Sequence, residues 1–368
     1  MTADGLKLTI YFGERDRAGR RFLADALTEI YARHRLRASL VVRGVEGFGH
    51  KHHLRTDRLL TLSEDLPLVS VAIDARPRIE AALAEVNELR FDGLVTLERA
   101  RMLALADTDT DADTDTDIDT RARTREDVKL TVFVGRHEQA GGRPAYEAVA
   151  DVLHRRGIAG ATVLLGVDGT AHGIRRRARF FGANTQVPLM VIAVGDARRM
   201  DALLPELGGL LSRPLITLER VRVCKRDGVK LADPQRLPET DASGLGVWQK
   251  LMVYAGEQAR SDRHPLHHEL IRTVRRAGAA GATSLRGTWG FHGDHPPHGD
   301  SFWQLRRRVP IVTVIVDTPE RTSEWFALID ELTQETGLVT SEIVPAFRAS
   351  AAALTRGGLR LARPPRPA

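Results

Sequence analysis

An α+β fold written three times over is what this sequence predicts, and three observations predict it. A lysine followed by an apolar strand and a glycine opens three segments: Lys7-Leu8-Thr9-Ile10-Tyr11-Phe12-Gly13, Lys129-Leu130-Thr131-Val132-Phe133-Val134-Gly135 and Lys250-Leu251-Met252-Val253-Tyr254-Ala255-Gly256. A second matched strand closes each: Leu94-Val95-Thr96-Leu97-Glu98, Leu215-Ile216-Thr217-Leu218-Glu219 and Leu338-Val339-Thr340-Ser341-Glu342. The period is that of a small autonomous domain, far too long for a solenoid repeat.

Within the first copy, Leu6, Leu8, Ile10 and Phe12 alternate with Lys7, Thr9 and Tyr11, the period-two pattern of a sheet with one face on a core. After the charged loop Glu14 to Arg20, Phe22, Leu23, Ala26, Leu27 and Ile30 recur at helical spacing. A second strand is expected over Ser39 to Val42, followed by a glycine-marked loop, Gly44-Val45-Glu46-Gly47-Phe48-Gly49. That loop opens an excursion of about twenty residues ending near Pro67. A third strand over Leu68 to Ile73, a helix carrying Ile79, Leu83, Val86 and Leu89, and the closing strand complete a βαββαβ, ferredoxin-like order. Helix one recurs over Tyr146 to Leu153 and Leu266 to Val274, and Pro188 and Pro310 stand where Pro67 stands.

The expected organisation is module one over residues 1–104, an acidic linker over 105–126, module two over 127–226 and a linker over 227–247. Module three follows over 248–348, then an Arg/Pro-rich disordered tail over 349–368. Asp107, Asp109, Asp111, Asp113, Asp115, Asp117 and Asp119 lack the glycine and distal glutamate of a calcium loop, so a solvated spacer is expected. No apolar run reaches membrane-spanning length, the N-terminus has no apolar signal core, and the lone Cys224 forms no internal disulfide. A soluble cytoplasmic protein without membrane insertion is expected. The net charge of +6 favours anionic ligands or partners, and the absence of the standard nucleic-acid patterns argues against nucleic acid.

The runs Lys7 to Arg15, Gly44 to Gly49 and Leu62-Ser63-Glu64-Asp65-Leu66-Pro67 resemble an uncharacterised bacterial family, domain of unknown function 190, placed in the PII-like signalling superfamily. The resemblance covers nearly the whole chain in three copies. Copy two departs most at the first motif, with Arg136-His137 in place of Glu14-Arg15, and copy three has a His-rich excursion. It implies trimers of ferredoxin-like subunits, ligands in the clefts between them, and a loop between strands two and three that contacts a protein partner. Three fused copies then imply a monomer with pseudo-threefold symmetry. The resemblance also implies adenine nucleotides as a ligand class.

Two constellations carry chemistry. The first is a small-anion site in module one: Gly13, Glu14, Arg15, Arg20, Arg43, Gly44, Gly47, Phe48 and Gly49, where glycines admit phosphate to backbone N–H groups and arginines add charge. The G-x-x-G spacing recurs at Gly166/Gly169 and Gly287/Gly290, and it equally suits a plain chain turn. The second is His292, Asp294, His295, His298 and Asp300, a donor set suited to zinc or another divalent metal, or to a titrating or partner-contacting loop. Copy one has a weaker counterpart in His50, His52 and His53; copy two has His172. Glu98, Glu219 and Glu342 either approach one another or pair with arginines such as Arg99 and Arg220. Trp289, Phe291, Phe302 and Trp303 either stack on a ligand or bury the loop stem, and Arg175-Arg176-Arg177 with Arg179 suit an acidic contact or a solvated face. No nucleophile elbow or repeated catalytic set is present, so enzymatic activity is not expected. A metal-homeostasis protein and a ligand-free scaffold are the alternatives to a ligand sensor.

Overall fold

The computed structural model describes residues 2–49, 53–56, 65–103, 127–171, 174–177, 187–212, 215–240, 247–292, 297–299, 309–344 and 346–349. The acidic linker, most of the His-rich excursion (Asp294, His295 and Asp300 included), Phe302, Trp303, Arg179 and residues 350–368 of the tail lie outside them.

Each module runs strand, helix, strand, strand, helix, strand. In module one the strands are Thr2–Gly13, Ala38–Phe48, Pro67–Ala75 and Gly93–Leu103, with helices Leu23–Arg33 and Arg76–Glu88. The second strand pairs with the third, the third with the first, and the first with the fourth, all antiparallel. Module two repeats this order with Asp127–Gly135, Gly160–Ala171, Pro188–Asp196 and Leu215–Arg226, and module three with Trp248–Gly256, Ala282–Arg286, Pro310–Asp317 and Leu338–Val344. Among the described residues no helix is long and apolar enough to cross a membrane.

The period-two pattern decides which face meets what. Leu6, Leu8, Ile10 and Phe12 pack against Leu23, Leu27, Ile30, Ile79 and Leu83 of the two helices, giving module one its own core. Modules two and three build equivalent cores of their own. The opposite sheet faces do not meet solvent: Leu40, Val71 and Met102 of module one join Leu164, Ile192 and Val223 of module two and Met252, Val314 and Val344 of module three in a fourth, shared core. Phe22 is a departure from expectation, since it caps the first helix from outside and is 44 % exposed.

The modules also exchange backbone hydrogen bonds in a cycle. The start of module one's second strand pairs with module two's (Ala38↔Ala171 to Val42↔Gly166), module two's with Trp289–His292 of module three, and Ala282–Leu285 of module three with the far half of module one's, Gly44–Phe48. The closing strands repeat the cycle: Arg101–Leu103 on Ile216–Leu218, Arg222–Arg226 on Leu338–Ser341, and Ala346–Ala349 on Gly93–Thr96. The expected tail therefore begins inside a strand. The expected linker at 227–247 likewise opens in a hairpin, Val229–Lys230 against Lys225–Arg226.

This cycle corrects the expected glycine loop. Gly44, Val45, Glu46, Gly47 and Phe48 are strand, because module three supplies the hydrogen-bonding edge. The glycines serve close approach. A Cβ on Gly47 would lie 2.7 Å from the Ala282 carbonyl oxygen, and one on Gly169 would lie 2.6 Å from Pro188 Cγ and run into the Ser39 carbonyl. Gly290 has the same environment between Pro310 and the Ala161 carbonyl. Each G-x-x-G thus seats a neighbouring module and the proline that opens its own third strand. Gly169→Val is expected to lower stability by about 2 kcal/mol or more. Gly49→Ala, where nothing lies within 4 Å of the added carbon, leaves stability unchanged. Chemical denaturation midpoints check both.

Candidate functional site

Where the three modules converge, each opening lysine lies directly across the ladder from its own module's closing glutamate: Lys7↔Glu98, Lys129↔Glu219 and Lys250↔Glu342. All six are on the shared-core face and all six are buried. Each ammonium also reaches the glutamate of another module. Lys7 bonds Glu98 at 2.8 Å and also Glu219; Lys129 bonds Glu219 at 2.9 Å and Glu342 at 2.5 Å; Lys250 bonds Glu342 at 2.8 Å and Glu98 at 2.7 Å. The result is a closed ring of alternating charge. The glutamates come together as the first sequence alternative has it, and the arginine pairing is corrected: the lysines of the adjacent opening strands meet them instead.

Burial and neighbours pull these groups in opposite directions. Burial drives the Glu98 carboxyl up, but Lys250, Lys7 and Lys129 together outweigh it and hold Glu98 well below the usual carboxylate range. Glu342 is held down in the same way, against burial, by Lys129 and Lys250. Lys129 and Lys250 are raised: burial opposes, and the surrounding carboxylates prevail. At Lys7 burial wins over Glu219 and Glu98 and lowers the ammonium.

Oxygens of the three glutamates lie within 4.8 Å of one another, a spacing that suits a cation. The donor set does not fit a metal, because three ammonium groups already neutralise the three carboxylates.

The clefts between modules offer the accessible chemistry. That between modules one and three, about 110 Å³, is lined by Tyr11, Phe48, Gly49, His53 and Arg55 on one side and Ala280–Thr283 on the other. Asp16 and Asp92 complete it. Arg55 reaches in from a short strand, Arg55–Thr56, that pairs back on Glu46 and Gly47. Its guanidinium bonds Asp65 at 2.9 Å and lies 3.5 Å from Asp16. Burial raises the Asp16 carboxyl, against the pull of the Gly13 N–H, which donates to it at 2.6 Å, and of Arg55. The equivalent cleft between modules two and three is smaller, about 30 Å³, with Phe291, Arg226 and Asp227 in its lining.

Of the sequence-selected anion residues, Phe48 and Gly49 line the cleft between modules one and three, and Gly13 lies against the Arg55 guanidinium outside the lining. Gly44 and Gly47 lie in the strand behind it. Arg43 pairs at 2.8 Å with Glu14 on the surface, and Arg15 and Arg20 are exposed outside the cleft lining. Sequence reasoning missed Arg55; its only signal is that it is one of two arginines, with Arg58, within the excursion of the best-matched copy. Of the metal candidates, His292 ends a strand and His298 sits in a short strand on Trp289 and Gly290; the structure describes no grouping of the set. Trp289 packs edge-on to Tyr146 at 6.2 Å and Phe291 on His154 at 5.0 Å, so these aromatics seal module three against module two. Arg175, Arg176 and Arg177 belong to a strand paired with Asp168–Thr170. Cys224 is buried with its thiol pushed up to about 12, chiefly by burial, and acts as an apolar filler.

The family model described as "Uncharacterized ACR, COG1993", the domain of unknown function 190, matches residues 5–102, 127–223 and 248–346. The chain belongs to that family and carries three copies of its domain.

Two outcomes test the ring. Lys129→Met leaves carboxylates uncompensated in the interior and is expected to cost about 3–5 kcal/mol, read from denaturant unfolding. Because Glu98 and Glu342 are depressed, their contribution is complete above the unfolded carboxylate range, about pH 4.3, and is lost as pH falls through their lower folded values. The melting temperature therefore holds level down to about pH 5 and falls below it.

Proposed function

We propose that this three-copy member of the domain of unknown function 190 family is a PII-like sensor. In this reading its ferredoxin-like modules pack as an intramolecular pseudo-trimer and bind a small anion in the cleft between modules one and three. The strand order, the helices on one face and the cyclic pairing of second and closing strands support the pseudo-trimer. The observation that supports the ligand assignment is Arg55, a guanidinium at the cleft that, among the described residues, pairs with Asp65 of the same excursion and lies near Asp16 of the preceding loop.

An incoming carboxylate or phosphate exchanges for Asp65 on Arg55. Asp65 also accepts the Arg15 backbone N–H at 2.9 Å, so its release alters the exposed Glu14–Arg15 surface. That is a route from ligand to protein partner. Burial raises the Asp16 carboxyl, the direction that lessens the repulsion an anion meets. The cleft volume of about 110 Å³ suits an anion of few heavy atoms; a nucleotide requires the cleft to open, since pockets for larger ligands run to about 300 Å³ and more.

Thermal shift with acetate, bicarbonate, inorganic phosphate and adenine nucleotides tests this. A ligand at a hundred times its Kd adds about 2.7 kcal/mol of stability. At least one anion is expected to raise the melting temperature, Arg55→Ala to abolish the shift, and Arg43→Ala, outside the cleft lining, to preserve it. Absence of any shift, or a shift indifferent to Arg55→Ala, overturns the assignment.

A further inference from the structure

A second cavity, about 840 Å³, opens onto the three glutamates of the ring and is shared by the closing strands of all three modules. Its chemistry is set by a short sequence repeat. The closing strands of modules one and two continue as Glu98-Arg99-Ala100-Arg101 and Glu219-Arg220-Val221-Arg222, whereas module three continues as Glu342-Ile343-Val344-Pro345. Along each strand the glutamate turns to the shared core and the arginines to the other face. Where the strands run past the helices, those arginines wall the cavity. Arg99, Arg220 and Arg222 are exposed, and Arg101 is partly buried and bonds Asp201 at 3.0 Å.

The charge balance selects the ligand. Glu98, Glu219 and Glu342 at the floor are matched one for one by Lys7, Lys129 and Lys250. Among the described residues four lining arginines face two lining aspartates, Asp127 and Asp201, an excess of two positive charges. Ile343, half exposed, supplies one apolar side. A volume of this size lies within the range of small-molecule pockets. We infer that this well binds a small organic polyanion, a polycarboxylate or a sugar bisphosphate, through the paired guanidiniums of modules one and two. The site is separate from the cleft at Arg55, and its occupancy reports on the junction of all three modules.

Calorimetric titration of the full chain with citrate and, separately, fructose 1,6-bisphosphate at about 0.15 M salt tests the inference and distinguishes the two chemistries. At least one is expected to bind with Kd below about 1 mM. The variant Arg99→Gln/Arg220→Gln/Arg222→Gln weakens that binding at least about tenfold with an unchanged melting temperature. The variant Arg260→Gln/Arg263→Gln/Arg276→Gln removes equal charge from exposed positions outside the well and leaves binding unchanged. No binding by either probe, or equal weakening by both variants, overturns it.

Discussion

Every lysine in the central ring needs two carboxylates, one from its own module and one from another. In an isolated module the ammonium and carboxylate would lie on a solvated sheet face; assembly buries them, and the neighbouring modules then supply the second partner of each. Desolvating such groups costs several kcal/mol each, and pairing in low dielectric offsets that only when the geometry closes. The geometry closes solely when the three modules meet around one point. Apolar packing in the shared core rewards contact without fixing rotation; charge pairing of this kind fixes how each module is turned against its neighbours, and in what register. Backbone pairing of the second and closing strands runs in the same cyclic sense, so hydrogen bonds and charges specify one arrangement.

Fusion into one chain releases the copies from having to be identical. The cleft between modules one and three holds His53 and Arg55, whereas its counterpart between modules two and three holds Arg226 and Asp227 in less space. At the well, Ile343 replaces the arginine found at Arg99 and Arg220. The ring and the glycine seats stay alike in all three copies while the accessible surfaces diverge. A scaffold held by shared interior constraints and ligand chemistry placed on unequal clefts is the division of labour this arrangement supports.

Much of this was legible in the residues. The alternation of Leu6, Leu8, Ile10 and Phe12 marked a helix-facing side, and the helical spacing of Leu23, Ala26, Leu27 and Ile30 marked what covers it. The other face was harder. Lys7 opened and Glu98 closed a recognised repeat, yet their partnership depends on a strand register set by residues 91 positions apart and on a second module. Local pattern holds no record of that register. The G-x-x-G segment read as a loop for the same reason: glycine is unfavourable in a lone strand, and only the approach of a neighbouring backbone makes it fitting there. Arg55 was missed because neither periodicity nor motif marks it; its role comes from where the excursion folds back.

All four tryptophans, Trp248, Trp289, Trp303 and Trp325, belong to module three, whereas far-ultraviolet circular dichroism senses every module. Equilibrium unfolding of the parent chain and of Lys129→Met, followed by both signals, tests the central claim most directly. One cooperative unit closed by the ring predicts coincident transitions, with the fluorescence midpoint of module three shifted by a substitution made in module two. A fluorescence transition that stays in place while the dichroism transition moves would mean that the modules fold as independent beads, and would contradict the account.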